Sequence, residues 1–116
     1  MDIESYRDFC LSLPHTEEGF PFDMNTLVFK VGGKMFALLD VDNFESVNLK
    51  CDPEKAVALR ERYQAVSPGY HMSKKHWNTV QTRGDVPDEL LLSWTKESYA
   101  LVVKGLPGRV KAELGL

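Results

Sequence analysis

Side chains that could do chemistry are concentrated between Ser67 and Val80. This stretch holds two of the three histidines, one of the two tryptophans, an adjacent lysine pair and an asparagine, and no acidic residue interrupts it. Lysines can neutralise phosphates, histidine and asparagine can donate to phosphates or base edges, and an aromatic ring can stack on an unpaired base. The residue types therefore predict a nucleic-acid interface. Its predicted contacts are Lys74, Lys75, His76, Trp77, Asn78 and Arg83.

Each of these residues also has an ordinary interpretation. Tryptophan is more often a core residue, lysines at a hairpin tip commonly keep a protein in solution, and a buried histidine or asparagine can simply satisfy loop backbone. Beside the predicted interface, Tyr70, His71 and Phe22 form a candidate pocket, because the stiff Phe20-Pro21-Phe22 segment can line a rim as well as plug a core edge.

The same stretch does not assemble a metal or catalytic site. His71 and His76 lie five positions apart, which is not a recognised zinc spacing, and no nearby cysteine or acid completes a ligand set. Cys51 and Ser73 lack an orienting acid, and no nucleophile-elbow motif surrounds any serine. We therefore expect a protein that is not an enzyme, with no metal and no cofactor.

The overall charge argues against nucleic acid, but its distribution does not. The net charge is −3 and the isoelectric point near 5.6, whereas nucleic-acid-binding domains typically have values above about 9. Residues 1–29 contain six acids against one arginine, while residues 62–84 contain two arginines, two lysines and no acid. Such asymmetry can steer an anion even when the total is negative. A solvated basic face is the alternative.

Length and composition predict one domain over residues 1–116, since cores of this size need no disulfide or metal. No basic leader and no long apolar run is present, so we expect a cytoplasmic protein without a membrane segment. Cys10 and Cys51 are far apart and form no CxxC pair, which predicts two reduced thiols.

Helical spacing predicts three main helices. The first runs from Ile3 to Leu13 and ends before Pro14. A second begins at Pro53 after the N-cap Asp52, buries Ala56, Leu59 and Tyr63, and leaves Arg60 and Arg62 in solvent. The longest opens at Pro87-Asp88 and ends at Gly105, and a short terminal helix follows at 108–114.

Gly32-Gly33 predicts a hairpin between strands 26–31 and 34–39, because glycine supplies the positive φ of a two-residue turn. If Val31 faces Lys34, then Phe29 faces Phe36 and Leu27 faces Leu38. The opposite face then carries a mixed set that a homodimer partner or ligand could cover. That set is Thr26, Val28, Lys30, Met35, Ala37 and Leu39.

A third strand is predicted over 46–51, and a second hairpin follows the second helix. In that hairpin Ser67-Pro68-Gly69 is a turn, 70–72 a short strand, Ser73-Lys74-Lys75 the tip and 76–81 the returning strand. The resulting order, α-β-β-β-α-β-β-α, is typical of the α+β class. We expect a two-layer α/β sandwich with an antiparallel sheet and helices on one face.

Several motifs resemble the MmcQ/YjbR family of small bacterial proteins over nearly the whole chain. The resemblance implies a fold related to the frataxin-like (CyaY-like) and secretion-chaperone-like folds, and a DNA-binding protein with a double-wing motif, in which hairpins are the wings. The matching motifs are the stretch 67–80 together with Phe20-Pro21-Phe22-Asp23, Gly33-Lys34-Met35-Phe36-Ala37, Val47-Asn48-Leu49-Lys50-Cys51-Asp52-Pro53 and Ser98-Tyr99.

Two functional hypotheses follow. In the first, the second hairpin is a wing whose lysines contact DNA phosphates, without catalysis. In the second, the chain is a non-catalytic module that binds a protein or a small ligand through the exposed sheet face with Val28, Met35 and Leu39. The acidic total favours the second hypothesis, and the resemblance favours the first.

Overall fold

A six-stranded antiparallel sheet with helices packed against one face forms the fold, which confirms the predicted α+β class. The computed structural model describes residues 1–69 and 72–116. Strand order across the sheet is β1-β2-β3-β4-β6-β5. The elements are α1 (Ile3–Ser12), β1 (Glu17–Gly19), β2 (Thr26–Val31), β3 (Lys34–Asp40), β4 (Ser46–Lys50), α2 (Pro53–Arg62), β5 (Val66–Pro68), β6 (Trp77–Gln81), α3 (Asp88–Lys104) and α4 (Gly108–Leu114).

The short edge strand β1 was not predicted, because two charged residues and a glycine carry no strand signal. It forms by pairing with β2, where Glu18 lies opposite Phe29 and therefore on the helix side of the sheet. Its carboxylate accepts two bonds from the Arg7 guanidinium of α1, one of them from Nε at 2.7 Å. The α1 contact thus helps to hold an edge strand that has little β propensity.

The β2–β3 hairpin forms around Gly32-Gly33 as predicted, with φ of +58° and +81° at the two glycines. Val31 lies opposite Lys34, but the register then shifts, so that Phe29 faces Ala37 and Leu27 faces Leu39. The prediction of Phe29–Phe36 and Leu27–Leu38 pairs was therefore wrong. Phe36 is a β-bulge, an extra residue without a partner on β2, and bulges leave no hydrophobic-pattern signal.

The bulge changes which residues reach the core. Ala37 and Leu39, predicted on the outer face, are 0% and 2% exposed and belong to the main hydrophobic cluster. Phe36 is also fully buried, with its ring 6.3 Å from that of Phe29 and 5.3 Å from that of Tyr99. With the bulge, Phe36, Ala37 and Leu39 all belong to the same core.

Ser98 of α3 repairs the ladder where the bulge opens it. Its hydroxyl donates to the Phe36 carbonyl at 2.6 Å and accepts the Lys50 backbone N–H at 2.9 Å, so it bridges β3 and β4. The neighbouring Tyr99 hydroxyl donates to the Pro14 carbonyl at 2.6 Å. Ser98 therefore faces the sheet, and the Ser98-Tyr99 pair ties α3 to the sheet and to the end of α1.

The core lies between the sheet and the helices α1 and α3. Tyr6 of α1 is fully buried and packs edge-on against Phe29 and at a tilt against Phe44, and its hydroxyl lies 2.8 Å from the Thr95 hydroxyl of α3, within hydrogen-bond distance. Within the described ranges, no helix is both long and apolar enough to cross a membrane.

The second hairpin exists, but the turn predicted at 67–69 was wrong, because Ser67 and Pro68 belong to a strand. β5 is formed by Val66–Pro68, and Val66 lies opposite Val80 while Pro68 lies opposite Asn78. Pro68 is tolerated because β5 is the edge of the sheet. The connection to β6 is the segment 69–76. The strand predicted at 70–72 falls largely on Tyr70 and His71, which lie outside the described residues.

Candidate functional site

The sheet has two chemically different ends. Because the strands alternate in direction, the Gly32-Gly33 turn, the end of β4 and loop 69–76 share one end, which we call the basic end. Its cations include Lys34, Lys50, Lys74 and Lys75, and it also carries three acids: Glu17 of β1, opposite Lys30, and Asp52 and Glu54 at the start of α2. The opposite, acidic end carries Asp23, Asp40, Asp42, Glu45 and Asp85.

Loop 69–76 presents the strongest cationic group at the basic end. Lys74, Lys75 and His76 are all exposed, and within residues 1–69 and 72–116 neither lysine forms an ion pair. Ser73 gives the loop its shape, since its carbonyl accepts the His76 N–H at 3.2 Å and the Trp77 N–H at 2.9 Å. Both lysine ammonium groups are thus available to an anion from solution.

Trp77 and Asn78, also predicted as contacts, lie inside the protein. Trp77 is 9% exposed and Asn78 is 2% exposed. The Asn78 amide accepts from Arg60 Nε at 2.7 Å and donates to the Ala56 carbonyl at 3.3 Å. Its donor and acceptor are therefore both used within the fold. Asn78 shares its face with Val80, which is a core position, so the alternation of β6 was the one local signal of its burial.

Arg60 was predicted to be solvated, and this was wrong. Besides Asn78, its guanidinium donates to the backbone carbonyls of Lys74 and of Trp77, the latter at 3.3 Å. One α2 side chain thus ties the backbone at Lys74 and Trp77 to the helix layer. Its partners are 14 to 18 residues away in sequence, so no local pattern could have shown them.

Arg83 lies at the acidic end, beyond the far end of β6 from Lys74. The five residues of β6 separate them by roughly 17 Å along the strand. Arg83 lines a small cleft together with Met1, Asp42 and Asn43. It therefore does not share a surface with the loop lysines, although the sequence brings them within ten positions.

The candidate pocket of Tyr70, His71 and Phe22 is not assembled in the described part of the chain. Phe22 is 65% exposed and lies in the β1–β2 connection, at the acidic end. Tyr70 and His71 are outside the described residues. Across those ranges no three His, Cys, Asp or Glu side chains are placed to hold a metal ion.

The three residues that the second hypothesis placed on an exposed sheet face are buried or half-buried. Val28 is 1% exposed, Leu39 is 2% exposed and part of the core, and Met35 is half-buried. The face away from the helices therefore does not offer the apolar surface that the unbulged register predicted.

A cleft of about 320 Å³ opens on the helix side, between α2, α3 and strands β4 and β6. Its walls are largely apolar, and the Lys55 ammonium and the Glu97 carboxylate, 2.7 Å apart, meet at its rim. Cys51 lines the cleft and is half-buried, and burial raises the pKa of its thiol. Burial raises the pKa of the Cys10 thiol to about 12, and neither cysteine is in a disulfide.

Comparison with known proteins gives the chain its relatives. A model of the YjbR family matches residues 11–101. The chain belongs to the YjbR family. It is 38% identical over 107 residues to YbdF of Escherichia coli O157:H7, covering 91% of this chain and 88% of that protein. It is 33% identical over 108 residues to YjbR of Escherichia coli K12, covering 92% of each.

Solved structures support the same grouping. A Deinococcus radiodurans protein with a domain named DUF419 superposes with a TM-score of 0.92 at 45% identity, covering 99% of this chain and 88% of that one. A Pseudomonas syringae protein superposes with a TM-score of 0.75 at 25% identity, covering 88% and 99%. The YjbR assignment confirms the resemblance drawn from the sequence motifs.

Proposed function

We propose that this YjbR-family chain is a non-catalytic DNA-binding protein that contacts phosphates through loop 69–76. The observation that carries the proposal is the separation of charge along the sheet, which leaves the exposed Lys74 and Lys75 without ion-pair partners in the described ranges. Lysines of this kind release counterions from DNA when they bind its phosphates.

Two further features support a loop that acts as a wing. Lys34 and Lys50 lie at the same end of the sheet, so a bound polyanion meets a wider positive field than the loop alone provides. Arg60 holds the Lys74 carbonyl, which limits the backbone freedom that binding would otherwise have to remove. Trp77 and Asn78 then support the loop from inside, and the exposed cations make the contacts.

Fluorescence anisotropy of labelled double- and single-stranded DNA at several salt concentrations tests the proposal. We expect wild-type binding to weaken with salt, because each neutralised phosphate contributes about 0.9 to the slope of log affinity against log salt. Lys74→Ala/Lys75→Ala should weaken binding at low salt and reduce that slope by about 2.

The matched control is Arg83→Ala/Lys96→Ala, which also removes two positive charges, one at the acidic end and one on the exposed side of α3. It should bind like the wild type, with both variants shown to be folded by circular dichroism. Absence of binding at low salt, or equal loss in the two double variants, would contradict the proposal. A homodimer remains a prediction, for which sedimentation of the same samples is the measurement.

A further inference from the structure

We propose that the cleft between α2, α3 and the sheet binds a small molecule with an apolar body and one anionic end group. This site lies in the helix layer, apart from Lys74 and Lys75, and the proposal does not rest on DNA binding, although Lys50 lies at both places. Its volume of about 320 Å³ lies within the range of small-molecule pockets, about 300–1,000 Å³.

The walls of the cleft favour an apolar body. Leu49, Val80 and Trp94, which are 3%, 2% and 8% exposed, are core residues whose surfaces line it. Leu59 of α2 and Leu101 of α3 line it from the helices. A hydrocarbon chain that moves from water into the cleft buries apolar surface, which is favourable. It does not leave the Asn78 amide without a partner, because that amide is already bonded to Arg60 and to the Ala56 carbonyl.

The rim favours an anion over a cation. Lys55 and Glu97 form an ion pair at 2.7 Å and neutralise each other. The other charged side chains among the described residues that line the cleft are two cations, Lys50 and Lys104, and one acid, Asp52, so one positive charge is in excess. Lys104 is exposed and forms no ion pair among the residues at 1–69 and 72–116. The cleft also lies near the basic end of the sheet, whose field attracts negative charge. A carboxylate or sulfonate end group at the mouth of the cleft would form an ion pair with the Lys104 ammonium.

Cys51 supplies a reporter inside the cleft. It is half-buried and lines the cleft, whereas the other cysteine, Cys10 of α1, is fully buried in the main core. Alkylation with iodoacetamide, followed by mass spectrometry, should therefore modify Cys51 alone in the folded protein. A ligand seated in the cleft shields Cys51 and slows that reaction.

Decanoate is the probe, with 1-decanol as the neutral match and decyltrimethylammonium as the cationic match. We expect decanoate to slow Cys51 alkylation in a saturable way. The affinity from this protection should match the affinity measured by calorimetric titration. The cation should protect least. Lys104→Gln should weaken decanoate about two- to fivefold, the range of an exposed ion pair, and leave 1-decanol unchanged.

Two variants make the test decisive. Ala100→Trp fills the mouth from an exposed helix position and should abolish decanoate binding, while Lys96→Gln, on the same helix but away from the cleft, should not change it. Absence of saturable protection, or unchanged affinity in a folded Ala100→Trp, would overturn the site. Equal affinity for all three probes would overturn its preference for an anion. Lys74→Ala/Lys75→Ala should keep decanoate binding, which separates this result from that of the DNA experiment.

Discussion

Single buried polar residues join elements that are distant in sequence. Ser98 links α3 to β3 and β4, and Asn78 links β6 to α2 through Ala56 and Arg60. Each of these side chains has its hydrogen-bonding groups satisfied inside the protein. Polar residues in such positions contribute more by avoiding unpaired groups than by the bonds themselves.

Ser98→Ala is expected to lower the free energy of unfolding by about 2–3 kcal/mol, because it leaves the Phe36 carbonyl and the Lys50 N–H without their partner. Urea unfolding followed by circular dichroism measures it. Ser93→Ala, at an exposed position of the same helix, is the control and should stay within about 0.5 kcal/mol of the wild type. A Ser98→Ala loss as small as the control's would show that β3 and β4 close the gap by themselves.

The roles of single residues were the least predictable part. The two bonds of Ser98 depend on the bulge at Phe36, which the alternation of β3 does not reveal. Asn78 and Arg60 looked like a surface contact and a solvated cation because their partners come from other elements. The residue types predicted which side chains could bind a ligand. Tertiary contacts decide which of them remain exposed to do so.

At the level of elements, turn chemistry was the reliable signal. Gly32-Gly33 correctly predicted the first hairpin, and Asp52-Pro53 the start of α2. The second hairpin was recognised but shifted, since β5 contains Pro68 and only three residues, which propensity does not favour. Its position is fixed by pairing with β6 and by the Gly69 N–H, which donates to the Trp77 carbonyl at 2.8 Å.

Gly69→Ala is expected to destabilise the protein by about 1–3 kcal/mol, because an added Cβ would lie 2.8 Å from Trp77 Cβ and 3.0 Å from its carbonyl oxygen. Thermal unfolding measures the change, and DNA binding should weaken with it as loop 69–76 moves. Gly19→Ala is the matched control in a strand with open space around it, and it should be neutral or slightly stabilising. Equal effects of the two substitutions would contradict the close packing.

For the whole molecule, the net charge of −3 conceals two ends of opposite character. Part of this separation is visible along the chain, in the acids of residues 1–29 and the basic stretch 62–84. Only the strand directions show that Lys34 joins Lys74 while Arg83 does not. Global charge therefore does not decide whether such a protein binds an anion.

The acidic end should make stability sensitive to low pH. Backbone N–H groups of Ala65 and Gln64 donate to the Asp85 carboxylate, at 2.9 Å each, and lower its pKa. The backbone N–H groups of Ser5 and Asn25 lower the pKa of Asp2 and of Asp23 in the same way. A lowered folded-state pKa adds stability that is present above about pH 4 and is lost as the pH falls through the folded value.

Asp85→Asn removes one of these titrations, so the free energy of unfolding should fall less steeply below about pH 4 than in the wild type. Urea unfolding at a series of pH values checks this. The variant is also expected to be less stable at neutral pH, because the amide offers only one oxygen to two N–H donors. Parallel curves for the two proteins below pH 4 would contradict the assignment to Asp85.

The Ser98 bridge also constrains the order in which the chain assembles. β3 and β4 are near neighbours in sequence and can begin to pair early, but the hydroxyl that completes their ladder comes from a residue 62 positions after Phe36. The sheet therefore cannot reach its final hydrogen bonding until nearly the whole chain has been synthesised and α3 has docked. Before that step, a nascent chain exposes an open seam in the middle of its sheet.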